Sequence, residues 1–173
     1  MAEACAFIVL GLRLDNRTRV ITATMDLKVD EKIISLIKVM IAIITFTIGG
    51  YIYLAYRSTS LQMFEWFNNL GLHDIVSDIR RNANSNYLHD FVLYSLPDGL
   101  WIVSYILIMD VLWYGDKKMQ IIWAGLLPAI GLSTEFLQIT GIVNGTFDFY
   151  DILCYAVPYC IYITFKSYQD EKN

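Results

Sequence analysis

The chain has 173 residues, 56% hydrophobic, 14% aromatic and 17% charged, with a formal net charge of −4; soluble domains carry about 25% charged residues. With a mean hydropathy of +0.46 this is a membrane-protein composition, and without a Lys/Arg cluster nucleic acid is not expected as a partner. Cys5, Cys154 and Cys160 lack CxxC spacing and only His73 and His89 offer imidazole, so no disulfide framework, zinc site or cofactor is expected.

Residues 1–30 come first. Met1 to Cys5 contains Glu3 and no Lys or Arg, so the basic region of a signal peptide is missing. The apolar run from Ala4 to Leu12 is too short to span a bilayer. Residues 1–30 are therefore expected to be a non-membrane leader, with disorder as one reading and Met25 as an alternative start.

A spanning helix needs about 20 mostly apolar residues, and four segments in residues 31–168 approach this. The first, 33–56, reads IISLIKVMIAIITFTIGGYIYLAY, with Lys38 near its start able to snorkel towards the headgroups. The loop 57–96 follows, with two amphipathic stretches. One is LQMFEWFNNL; the other is LHDIVSDIRR, where Leu72, Ile75, Val76 and Ile79 keep the i, i+3, i+4, i+7 spacing. Both are expected as short helices on the outer membrane surface, with simple packing over the span ends as the alternative. The remaining spans are 97–114 with Asp98 and Asp110, 119–140 with Pro128 and Glu135, and 149–165 with Asp151 and Pro158; a polar tail occupies 169–173. Tyr114, Trp123, Tyr150 and Tyr162 near the ends suit an interfacial aromatic belt. The expected fold is all-α, a polytopic membrane protein with four transmembrane helices.

Arg13, Arg17, Arg19, Lys28, Lys32, Lys117, Lys118, Lys166 and Lys172 fall on one side of such a topology, against Arg57, Arg80 and Arg81 on the other. The positive-inside rule then places both termini in the cytoplasm. The sequons at Asn16 and Asn144 matter only in a eukaryotic secretory pathway, to which nothing else points.

This orientation brings the acids to one face. Asp98 opens the second span, Glu135 and Gln138 end the third, and Asp148 and Asp151 open the fourth. In SLPD, Ser95 and Asp98 have the spacing of a capping box, as do Asp148 and Asp151 in DFYD, so capping competes with function for three of these acids. Glu135 does not fit that explanation. It lies about 24 Å along a core about 30 Å thick, where an acid must be protonated, paired or facing a wet cavity. Gln138 shares its face, and an interhelical hydrogen bond is the alternative reading. His89 and Tyr94 precede the second span on the same side. Asp110, near the opposite face, is expected to pair with Lys117 or Lys118, and Cys154 and Cys160 are expected as small apolar fillers.

HDFVLY before a span, EFLQ late in the next and GTFDFYD opening the last resemble the motifs of the VanZ-like small membrane proteins over residues 33–165. Gly145 stands where that family has an Arg. The resemblance implies a multi-pass protein of the bacterial inner membrane whose pocket would include His89, Tyr94, Glu135, Gln138, Asp148 and Asp151. The expected function is non-enzymatic: an outward-facing acidic pocket, formed with Asp98, that serves an envelope ligand or a membrane protein partner. The alternative is a membrane-embedded enzyme acting on a lipid-linked or cell-wall substrate, its paired carboxylates holding a divalent cation or exchanging protons. A transporter fits less well, since the spans show no broken-helix repeat.

Overall fold

The computed structural model describes residues 30–83, 89–143 and 145–171. The expectations for the leader, with Cys5, Met25 and the Asn16 sequon, and those for Asn144 and Lys172 lie outside the described residues. The chain divides into two compact units, Met1–Lys38 and Val39–Asn173; of the first, only the opening turns of a helix are described.

Among the described residues the structure is helical, without strands. Helix α1 spans Asp30–Tyr56, followed by α2 (Gln62–Asn69), α3 (His73–Asn82), α4 (Asp90–Tyr94), α5 (Leu96–Leu112), α6 (Lys117–Ile139) and α7 (Phe149–Glu171). Local chemistry fixes the ends of α6. The Asp116 carboxylate accepts the Met119 amide at 3.1 Å, satisfying one of the N–H groups that a helix start leaves open. At the other end Gly141 takes φ +72°, and the amides of Gly141 and Ile142 return to the carbonyls of Gln138 and Leu137, a Schellman stop.

Among the described residues two helices are long and apolar enough to cross a membrane: α1, mean hydropathy 2.2, and α6, mean hydropathy 1.3. The other two expected spans are helical, but α5 has only 17 residues and α7 includes Asp151, Lys166, Asp170 and Glu171. The two amphipathic stretches are helices α2 and α3. They bury Phe64 and Val76, whereas Ile75 of the apolar spacing is 58% exposed.

Helices α5, α6 and α7 pack pairwise on one another. Their core is Ile102, Ile106 and Ala124, with Met109, Tyr155, Tyr159 and Tyr162 against it. Close approach of α7 to α6 needs glycine. A Cβ on Gly131 would lie 3.0 Å from the Tyr155 ring, and one on Gly125 would overlap the Tyr159 hydroxyl. Helix α1 joins through Trp101, whose indole N–H donates to the Phe46 carbonyl at 3.3 Å. Arg80 of α3 then closes the end of α1, donating to the carbonyls of Leu54 and Arg57 at 2.8 Å each.

A buried polar network ties the other end of the bundle. Asp110 is 2% exposed, and its carboxylate lies 2.6 Å from the Lys166 ammonium. The Tyr162 hydroxyl donates to the same carboxylate at 2.8 Å. Lys166 also donates to Gln120 Oε1, and Gln120 Nε2 to the Asp110 carbonyl. One expectation is extended here and one is corrected. Lys166 of α7 is a partner of Asp110 that the sequence did not point to, because the C-terminal parts of α5 and α7 face each other. Tyr162 points inward to Asp110 instead of joining a belt. Removing one partner of a buried pair leaves an uncompensated charge, so Lys166→Met should cost about 3 kcal/mol. In detergent thermal unfolding, the Asp110→Asn/Lys166→Met double variant should recover a large part of that loss.

Candidate functional site: a polar cavity at one end of the bundle

At the end opposite Asp110 lies a cavity of about 770 Å³. Helix α1 and the residue after it supply Tyr53 and Arg57; α4 and α5 supply Tyr94, Asp98 and Trp101; α6 supplies Thr134, Glu135 and Gln138. The turn into α7 adds Gly145, Thr146 and Asp148, and α7 itself adds Asp151 and Tyr155. Of the residues singled out in the sequence, Tyr94, Asp98, Glu135, Gln138, Asp148 and Asp151 line this cavity. His89 does not. It caps α4, its ring Nδ1 accepting the Phe91 amide at 3.2 Å.

Glu135 is 3% exposed, and its Oε2 accepts the Asp148 amide at 3.2 Å. The end of α6 is thereby tied to the start of α7. The Asp148 carboxylate accepts the Tyr150 amide at 2.8 Å, capping α7 as DFYD suggests. Asp151, however, does not complete a capping box, because the amide it would reach belongs to Glu135. Its Oδ1 is buried without a hydrogen-bond partner in the protein. SLPD departs from expectation in the same way: Ser95 makes no side-chain cap, and Asp98 turns into the cavity instead. Both departures have one cause, since the two acids face the space between helices rather than their own helix starts.

Arg57 is the residue the sequence reading missed as part of a site. Its guanidinium donates to the Tyr94 carbonyl at 2.7 Å and lies 3.7 Å from Asp98 Oδ2. It stacks 5.5 Å from the Tyr53 ring centroid and 5.3 Å from that of Tyr94, aromatic faces that favour a cation. Arg80 in turn holds the Arg57 carbonyl. The signal was Arg directly after an apolar span, in YLAYRS, which reads as a topology charge until the fold shows what surrounds it. Across from Arg57, Tyr155 donates to Asp98 at 3.5 Å. Gly145, at φ +154°, presses on Gln138: a Cβ there would lie 2.7 Å from the amide carbon.

The chemistry available is four carboxylates and one guanidinium around a polar space with aromatic walls. Among the described residues no group of three or more His, Cys, Asp or Glu side chains is placed to hold a metal ion. Comparison of the chain with protein-family models, with curated proteins and with solved structures gave no match.

If Arg57 neutralises Asp98, Arg57→Met should lower stability by about 1–2 kcal/mol. The Arg57→Met/Asp98→Asn double variant should lose less than the sum of its two single variants. A thermal-unfolding double-mutant cycle measures the difference, and strict additivity would mean that the pair is not coupled.

Proposed function

We propose that the chain is an integral membrane protein of four spans, of the VanZ-like type, whose cavity opens at the outer face of the bacterial inner membrane and binds a polar envelope ligand without transforming it. The observation behind this reading is the inverted burial. Glu135, Asp110 and Gln120 lie inside the bundle, while Met40, Ile43, Ile44 and Phe46 on α1 and Ile130, Phe136 and Ile139 on α6 are about half exposed or more. Such a surface is stable against hydrocarbon and costly against water. Helices α5 and α7 complete the set in this reading. At about 1.5 Å per residue, the 17 residues of α5 reach roughly 26 Å, close to a bilayer core, and α7 has no charged residue between Asp151 and Lys166.

The VanZ-like reading is supported by the meeting of its motifs. Tyr94 of HDFVLY, Glu135 and Gln138 of EFLQ, and Gly145, Asp148 and Asp151 of GTFDFYD all face one cavity. Arg57 brings a guanidinium to that cavity although the family's Arg position holds Gly145. Binding is favoured over passage because the Ile102, Ile106 and Ala124 core follows the cavity along α5 and α6, before the Asp110 network. It is favoured over catalysis because Glu135 and Asp148 are each engaged by a backbone amide, and Asp98 by Arg57 and Tyr155. The excess of Lys and Arg on the leader, second-loop and tail side puts both termini in the cytoplasm.

A screen of small charged and neutral polar solutes against the full chain in lipid nanodiscs tests the binding reading. At least one solute should raise the thermal midpoint of the wild type and not that of Glu135→Gln, which keeps an acceptor for the Asp148 amide and so should fold normally. A screen in which every shift is equal in both proteins would overturn it.

A further inference from the structure

Building on the ligand-binding reading above, we infer that the cavity selects an organic amine, its ammonium held on the wall formed by Asp151 and Gln138. Three observations converge on this ligand class. The first is charge: Asp98, Glu135, Asp148 and Asp151 face the space, and Arg57 is the cation that lines it, already drawn to Asp98. In a low-dielectric setting the surplus favours a positive guest.

The second observation is hydrogen-bond valence. Asp151 Oδ1 and Gln138 Oε1 are both buried and neither has a partner in the protein. Both are acceptors, and a buried acceptor is costly until a donor reaches it. An ammonium brings three donors and no acceptor, so it satisfies this wall, whereas a carboxylate or phosphate would repel Asp151. The Gln138 amide occupies the space that a Cβ at position 145 would need, so glycine there leaves it room. The buried donors without a geometric partner are Arg57 Nε, which belongs to the guanidinium between Tyr53 and Tyr94, and the Ser95 hydroxyl, which acts on Asp151 with a single proton and leaves the Gln138 oxygen open.

The third observation is size. About 770 Å³ is the space of a small organic molecule rather than of a bare ion, and the acids are not gathered as a metal-ligand set among the described residues. Trp101 and Tyr155, which also line the space, offer such a molecule aromatic contact beside its charge.

Three four-carbon probes of matched length separate the possibilities: 1,4-diaminobutane, 1,4-butanediol and succinate, at constant ionic strength, with the full chain in nanodiscs. The diamine should raise the thermal midpoint in a saturable way, and the diol and diacid should not. Asp151→Asn should weaken the diamine's half-saturating concentration about tenfold or more. Gln138→Leu serves as the second variant should Asp151→Asn fail to fold, and should weaken it in the same direction. A diamine shift indifferent to both variants would overturn the amine assignment. So would succinate or butanediol stabilising the protein in a manner sensitive to Asp151→Asn, but that result would leave the cavity as a ligand site of another class. No shift from the trio, with Glu135-dependent shifts from other solutes, would likewise overturn only the amine. A screen and a trio both without Glu135-dependent effect would remove both readings.

Discussion

The hydrogen bond from the Asp148 amide to Glu135 Oε2, 3.2 Å long, is the contact on which the site depends. A carboxylate 3% exposed needs a donor, and the start of a helix has donors to give. By taking this amide, Glu135 joins the end of α6 to the start of α7 and fixes the turn between them. It also changes what Asp151 does. In a capping box Asp151 would have reached back to that amide; with the amide taken, its carboxylate is left to face the cavity. One backbone donor thus decides which of the two acids in DFYD is structural and which is a wall of the site.

The bundle is held from inside by polar groups at both ends. Glu135, Asp98, Arg57 and Tyr155 form the cavity end, and Asp110, Lys166, Tyr162 and Gln120 the other. Between them lie Ile102, Ile106 and Ala124, with tyrosines of α7 seated against glycines of α6. This division suits helices surrounded by hydrocarbon. Apolar surface gains little there from association, so close packing on small residues and interhelical hydrogen bonds must hold the helices together. The same side chains would be an unusual core for a protein in water, where Lys and Asp are seldom fully buried unless paired.

The helices were legible in the sequence because apolar runs, capping residues and punctuating glycines are local. The stretches 33–56, 97–114, 119–140 and 149–165 fall on α1, α5, α6 and α7, to within two residues at the ends of the second and third, and the two amphipathic segments are α2 and α3. Six of the seven residues chosen for a pocket face one cavity, because acids in apolar helices are rare enough to stand out. What could not be read was pairing. Lys166 is 56 positions from Asp110, and Arg57 is 41 positions from Asp98; no periodicity links residues so far apart. The same limit misplaced His89 and Tyr162. A histidine before a span looks like a functional group until its ring nitrogen is seen to cap α4, and a tyrosine near a helix end looks interfacial until the neighbouring helix presents Asp110.

The central claim, that the polar cavity opens at the outer face of a membrane, is tested most directly at Thr146. This residue lines the cavity and is exposed. In spheroplasts expressing Thr146→Cys, a membrane-impermeant maleimide should label the full-length chain without lysis, while the parent chain, with its native cysteines, should stay unlabelled. Labelling of Thr146→Cys only after the membrane is disrupted would contradict the claim.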